Sequence, residues 1–208
     1  MAKYISLTFD DGPCNPSDDV MNRMLDILEK HNVVASFFLI GNKISEKNKK
    51  VIKRAFNMGC DIQNHSWTHP GMSKLSKEEI LEEYNKCDQA IIDITGVKPE
   101  FFRPPFIDVN DLMHETIPTP FICGYGVEDW VPTVSADERY KRMLAGAKDG
   151  LLYLLHVMEG NQATLDAVDK IIPVLKEQGY EFVTTPKMFE LKGVDKKAHT
   201  GILWTEVK

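Results

Sequence analysis

Short apolar runs alternate with amphipathic segments along nearly the whole chain, and this alternation restricts the fold more than any other feature. Residues 33–40, Val-Val-Ala-Ser-Phe-Phe-Leu-Ile, are almost continuously apolar, and so are 151–155 before His156. Strands of this kind are covered on both faces, as in a parallel sheet wrapped by helices. Helical spacing marks 18–31, 44–57, 135–148, 162–178 and a short stretch at 186–192, with Ser17 the expected cap of the first. Ser76-Lys77-Glu78-Glu79 is a capping box that opens a long helix to about Thr95, where Gly96 stops it. A helical turn fits 111–116. Further strands are expected at 60–63, 101–103, 121–126 and 181–184, and the tail from 193 carries no strong signal. About seven strands thus alternate with helices through short connections, the pattern of βα units.

The 208 residues, 43% hydrophobic and 27% charged, suit one globular domain, expected over 1–208 with its core at about 3–192. The formal net charge is −6 and no basic block occurs, which disfavours nucleic acid and anionic membranes as partners. No apolar run approaches the length of a membrane span. Residues 1–30 show no charged segment followed by an apolar one, so the chain reads as cytoplasmic; a processed, secreted form would read the same. Cys14, Cys60, Cys87 and Cys123 are scattered thiols, with no Cys-x-x-Cys pair to suggest a disulfide framework or zinc knuckle.

The chemistry-bearing residues fall at the ends of the apolar runs. Tyr4, Ile5, Leu7 and Phe9 lead to Asp10 and Asp11, then to Gly12-Pro13. Adjacent acids repel, so a pair at a strand end is either a solvated turn cap or is compensated by a cation or proton. His65-x-x-x-His69 has metal-ligand spacing and wants a carboxylate, for which Asp10 or Asp11 is available. Arg103 closes an apolar stretch before two prolines, where a guanidinium can orient a carboxylate and keep it ionised. His156 terminates a buried run and needs a partner, which Asp129 in the preceding loop can supply. Strict alternation admits an open doubly wound sheet or a closed barrel. Barrels collect the ends of many strands on one face, so a barrel is expected.

Taken together, Thr8-Phe9-Asp10-Asp11-Gly12-Pro13, His65-Ser66-Trp67-Thr68-His69, Arg103-Pro104-Pro105-Phe106, Asp129-Trp130 and Leu154-Leu155-His156 resemble the five ordered motifs of the polysaccharide deacetylases, the NodB-homology group or carbohydrate esterase family 4. The resemblance implies an α/β fold, a distorted (β/α) barrel of about seven or eight strands. It implies a divalent metal held by Asp11, His65 and His69, typically zinc, with cobalt or nickel possible. Asp10 would be the general base, positioned by Arg103, and His156 the general acid, oriented by Asp129. Phe106 would offer its backbone N–H to the oxyanion, and Trp130 and Leu154 would wall the acetyl pocket.

Three positions depart from the family pattern: Phe106-Ile107 stands for Tyr-Gly, Gly126 for an acid three residues before Asp129, and Val157 for an Asp after His156. The segments at 101–105, 129–132, 171–184 and 191–194 look most like the acetylxylan-esterase branch. The expected activity is therefore O-deacetylation of acetylated xylan or xylooligosaccharides. N-deacetylation of chitooligosaccharide or peptidoglycan N-acetylglucosamine is the alternative, and a non-catalytic carbohydrate-binding protein on the same scaffold is a third.

Overall fold

Strand β1 (Lys3–Gly12) runs through the middle of the computed structural model, which describes residues 2–15, 17, 19–196 and 201–208. Its side chains alternate between two environments, as the pleat requires. Ile5, Leu7 and Phe9 are fully buried on the outer side against helices α1 (Val20–Lys30) and α6 (Gln162–Glu177). Each such burial contributes roughly 1.5–3 kcal/mol relative to exposure. Ser6, Thr8 and Asp10 take the other face, toward the interior.

All the ladders of β1 are parallel. It pairs with β2 (Ser36–Leu39) on one side, β6 (Leu151–His156) on the other, and β7 (Tyr180–Phe182) at its start. β2 continues to β3 (Asp61–Asn64). From there the ring is completed by single bridges: Asn64 to Phe102, then Phe102 to Phe121 of β4 (Phe121–Ile122). β4 pairs with β8 (Leu203–Trp204), and the last residues turn back onto β6. Leu152 N donates to Thr205 O at 3.1 Å and Val207 N to Gly150 O at 2.8 Å. β5 (Tyr125–Gly126) covers the upper part of β6. The result is a mostly parallel α/β barrel, regular around β1 and irregular across from it, as expected.

Several boundaries differ from the sequence reading. The tail beyond 193 contributes β8 and the seam to β6; a two-residue strand has no periodicity to detect. The expected strand 121–126 is two short strands, because Gly124 adopts φ +86 between them. A Cβ there would lie 3.1 Å from Arg103 Nη2, so glycine supplies both the turn and the space. The stretch 101–103 forms no full strand: single bridges at Phe102 and the Arg103 N to Asn64 O hydrogen bond at 3.0 Å join it to the barrel. Helix α1 is capped by Asp19, whose Oδ1 accepts Asn22 N at 3.0 Å, rather than by Ser17; position 18, the expected start, lies outside the described residues. Helix α2 (Lys49–Asn57) begins later than 44 because Asn48 Oδ1 takes Ser45 N at 2.8 Å in a local turn.

The capping box of α3 (Lys77–Thr95) forms as expected, with Ser76 N donating to Glu79 Oε2 at 2.8 Å and Glu79 N to Ser76 Oγ at 3.3 Å. Helices α4 (Asp111–Thr116), α5 (Ala136–Gly146) and α7 (Thr185–Lys192) fall within a residue or two of expectation. No helix among the described residues is long and apolar enough to cross a membrane.

Candidate active site

The carboxyl ends of the strands surround a cavity of about 420 Å³. Asp10 arrives on β1 opposite His156 of β6, its register partner. A left-handed step at Asp11, φ +72, then brings the second carboxylate over the same space. Asp10 Oδ2 and Asp11 Oδ1 lie 3.6 and 3.7 Å from His65 Nε2.

Behind Asp10 sits Arg103, fully buried inside the barrel. Its Nη1 donates to Asp10 Oδ1, its Nη2 to Thr8 Oγ1 at 2.6 Å, and its Nε to Ile122 O at 3.3 Å. Its guanidinium carbon also lies 4.2 Å from the centre of the Phe38 ring. Burial pushes the Asp10 carboxyl above its ordinary range, and Arg103 and His156 pull against that push without cancelling it.

His65 is held in one tautomer. Its Nδ1 lies 2.6 Å from Arg103 O and must donate there, which leaves the Nε2 lone pair facing the cavity. Burial pushes its pKa down to about 3, so the ring is neutral. Burial also lowers His69. His69 Nε2 lies 3.5 Å from Asp11 Oδ1. These separations are too long for hydrogen bonds, yet two ligands bonded at about 2.0–2.1 Å in a tetrahedron stand about 3.4 Å apart. Asp11 Oδ1 is buried and has no hydrogen-bond partner among the described residues. An unanswered carboxylate oxygen facing two neutral imidazole nitrogens suits a divalent cation, so Asp11, His65 and His69 can hold one.

Across the cavity, Asp129 is fully buried and accepts from several directions. Its Oδ1 lies 2.7 Å from His156 Nδ1, and its Oδ2 accepts His156 N at 2.7 Å and Thr164 Oγ1 at 2.9 Å. Arg139, buried on α5, in turn donates to Thr164 Oγ1 at 2.8 Å and to Asn161 Oδ1. Burial alone would lower the His156 pKa, but the hydrogen bond and charge of Asp129, aided by Asp10 and Asp11, raise it above its ordinary value.

The remaining expected residues lie on the wall. Leu154 lines the cavity from β6. Trp130 meets His156 edge-on with ring centres 5.6 Å apart, and Phe106 does the same to His69 at 4.6 Å. Phe106 and Ile107 have φ +56 and +55, and Glu128, just before Asp129, has φ +59. Left-handed non-glycine residues each cost roughly 1–3 kcal/mol. Apart from Asn32, those in the described chain cluster in the loops around this cavity.

All ten residues singled out in the sequence therefore converge, with Arg103 and Asp129 behind the lining rather than in it. The sequence did not single out Thr8, Arg139 or Thr164, whose roles depend on neighbours far along the chain. Asp88 carried a signal: one turn beyond Tyr84, it lies on the buried face of α3 and accepts Asn64 Nδ2 at 2.7 Å. The departures also have places. Val157 is fully buried in the core, where an acid would be a stranded charge. Gly126 lies under the Trp130 ring, which a Cβ would meet at 3.3 Å.

The family model for polysaccharide deacetylases matches residues 1–117. A bifunctional xylanase/deacetylase of Pseudobutyrivibrio xylanivorans is 43% identical over 206 residues, 99% of this chain and 33% of that protein. A peptidoglycan-N-acetylglucosamine deacetylase of Listeria monocytogenes is 38% identical over 188 residues, 90% of this chain and 39% of that protein. This chain thus spans well under half the length of either relative. The structure of a family 4 acetyl xylan esterase from Clostridium thermocellum, in complex with a cobalt ion, overlays with a TM-score of 0.93 at 35% identity, covering 99% of each chain. A family match over more than half of the sequence, on a barrel shared end to end with that esterase, makes this chain a member of the polysaccharide deacetylase family.

Proposed function

We propose that this chain is a metal-dependent carbohydrate esterase that removes acetyl groups from saccharides, with acetylated xylan or xylooligosaccharides as its substrate. The observation that carries this reading is the pairing of two buried aspartates across one cavity, Asp10 with Arg103 and Asp129 with His156, beside the Asp11, His65 and His69 donors. When bound by those three, a divalent ion, zinc by the chemistry of two histidines and a carboxylate, supplies Lewis acidity toward the acyl oxygen and lowers the pKa of water.

The chain's own residues do the rest. Asp10, kept in place by Arg103, accepts the proton of the attacking water. The Phe106 N–H offers a donor to the oxyanion of the tetrahedral intermediate. His156, protonated and oriented by Asp129, gives its proton to the departing sugar oxygen as the C–O bond breaks, leaving acetate and a free hydroxyl. Trp130 and Leu154 enclose the acetyl methyl. Loss of the family's tyrosine at position 106 leaves the backbone donor in place.

The 38% identity to a peptidoglycan-N-acetylglucosamine deacetylase supports a second reading, in which the leaving group is an amine. The site recognises the acetyl group and serves either bond, so flanking sugars decide. The test is acetate release after chelation and reloading with zinc, cobalt or nickel, from acetylated xylooligosaccharides, chitooligosaccharide and peptidoglycan in parallel. Release from the xylooligosaccharides at the highest kcat/KM, lost on chelation and restored by metal, is expected. Preference for an N-acetylated substrate selects the second reading. Saccharide binding without acetate from any of the three, with metal supplied, overturns both in favour of a binding protein.

A further inference from the structure

The loop that carries the two histidines adopts a shape its own sequence disfavours. Ser66 and His69 are left-handed, at φ +68 and +61, a region that residues with a Cβ rarely occupy. The loop is held from two sides. On one, Gly41 N donates to Ser66 O at 3.0 Å and Asn42 N to Trp67 O at 2.9 Å. Gly41 also makes way for the Trp67 ring, which a Cβ there would meet at 2.5 Å.

On the other side a single carboxylate collects the amides. Glu83 of α3 accepts Trp67 N at 3.0 Å and Thr68 N at 2.7 Å on Oε2, and Thr68 Oγ1 at 2.6 Å on Oε1. Three donors converging on one point call for an acceptor-only group with several lone pairs. The neighbouring acids on the helix are engaged elsewhere: Glu79 in the capping box and Glu82 with Lys86. Trp67 and Thr68 lie between His65 and His69, so whatever fixes their backbone fixes the separation of the two imidazoles.

We propose that Glu83 is a positioning residue: by gathering the Trp67 and Thr68 amides, it sets the spacing of His65 and His69 and so the affinity of the Asp11–His65–His69 cluster for a divalent cation. This rests on the metal-dependent reading above. It assigns to a helix residue outside the cavity a role in metal binding that the five motifs do not contain.

The test uses the full chain, stripped of metal and titrated with cobalt(II) against a chelator of known affinity. The visible absorption of bound cobalt reports ligand geometry, and melting of the metal-free protein is measured beside it. Glu83→Ala is expected to weaken cobalt binding about 10- to 100-fold, the usual effect of removing an outer-shell partner, and to change the spectrum. Glu83→Gln keeps an oxygen for the amides and can donate to Thr68 Oγ1, so it should recover most of the affinity. Glu82→Ala, on the same helix but without loop contacts, should match the wild type. If Glu83→Ala fails to fold, Thr68→Val removes only the hydroxyl contact and should still weaken binding measurably. Wild-type affinity and spectrum in Glu83→Ala overturn the proposal, as does a loss that Glu83→Gln fails to recover and Glu82→Ala reproduces. A wild-type chain that takes up no cobalt overturns the metal-dependent reading itself, a distinct result.

Discussion

Two aspartates stand on opposite sides of the pocket, both deeply buried but paired with different partners. Asp10 is 2% exposed and Asp129 fully buried, so neither can rely on water to support its charge. Asp10 meets Arg103, a cation that does not give up its proton in proteins. Asp129 meets His156, a group whose charge switches near neutral pH. The fixed cation lets Asp10 be ionised, while burial keeps its proton affinity raised. The titratable partner transfers the influence of Asp129 onto the imidazole, whose pKa rises despite burial. Under the proposed mechanism, one residue type would serve as proton acceptor on one side and as tuner of a proton donor on the other, separated by their neighbours alone.

The sharpest way to break the comparison is Asp10→Asn. The change keeps the shape and leaves Asp11, His65 and His69 in place, but removes the proton acceptor together with the charge that pairs with Arg103 and helps to raise His156. We expect kcat for acetate release to fall about 10²- to 10⁴-fold, the usual range for a lost general base, with cobalt affinity nearly unchanged. A fall of less than tenfold would mean that the two aspartates do not differ in the way their partners suggest.

Asp129→Asn attacks the other side and is read in the pH profile. In the wild type, activity should fall on the acid side as Asp10 gains a proton, above the usual carboxylate value of 3.8. It should fall on the alkaline side as His156 loses one, above the usual imidazole value of 6.5. Removing the Asp129 charge takes away the main influence that raises His156 and leaves the burial that lowers it. The alkaline limb of kcat/KM should move to lower pH, with a rate loss of about 10²-fold. An unmoved alkaline limb would assign it to some other group.

How much of this was legible beforehand follows from the same contrast. Asp10, Asp11, Arg103 and His156 stand out because each interrupts or ends an apolar run, where a charge needs a reason, and His65 and His69 stand out by their metal-ligand spacing. Glu83 and Arg139 do not stand out. In the sequence they belong to Glu82-Glu83 and Asp137-Glu138-Arg139, ordinary charged helix positions, and only the fold decides which member faces a loop. The segments that close the expected barrel were hidden for a different reason. The ladders around β1 have length and period, whereas the seam through Phe102, β4 and β8 is built from single bridges and two-residue strands. Gly124 was likewise hidden inside an apparent strand, although a Cβ there would crowd the Arg103 guanidinium that reaches Asp10.

The smallest effect sharpens the comparison at the wall beside His156. Trp130 is 47% exposed and touches His156 only by its edge, so it can yield. A Cβ at position 126 would meet its ring at 3.3 Å, requiring a shift of a few tenths of an ångström. Gly126 is not left-handed, so alanine fits its backbone, and stability should change by no more than about 0.5 kcal/mol. Gly126→Ala should therefore raise KM for an acetylated xylooligosaccharide by about two- to threefold. The alkaline limb should stay in place, because the Asp129–His156 contact is untouched. If that limb moves instead, Trp130 tunes the imidazole as well as walling the pocket.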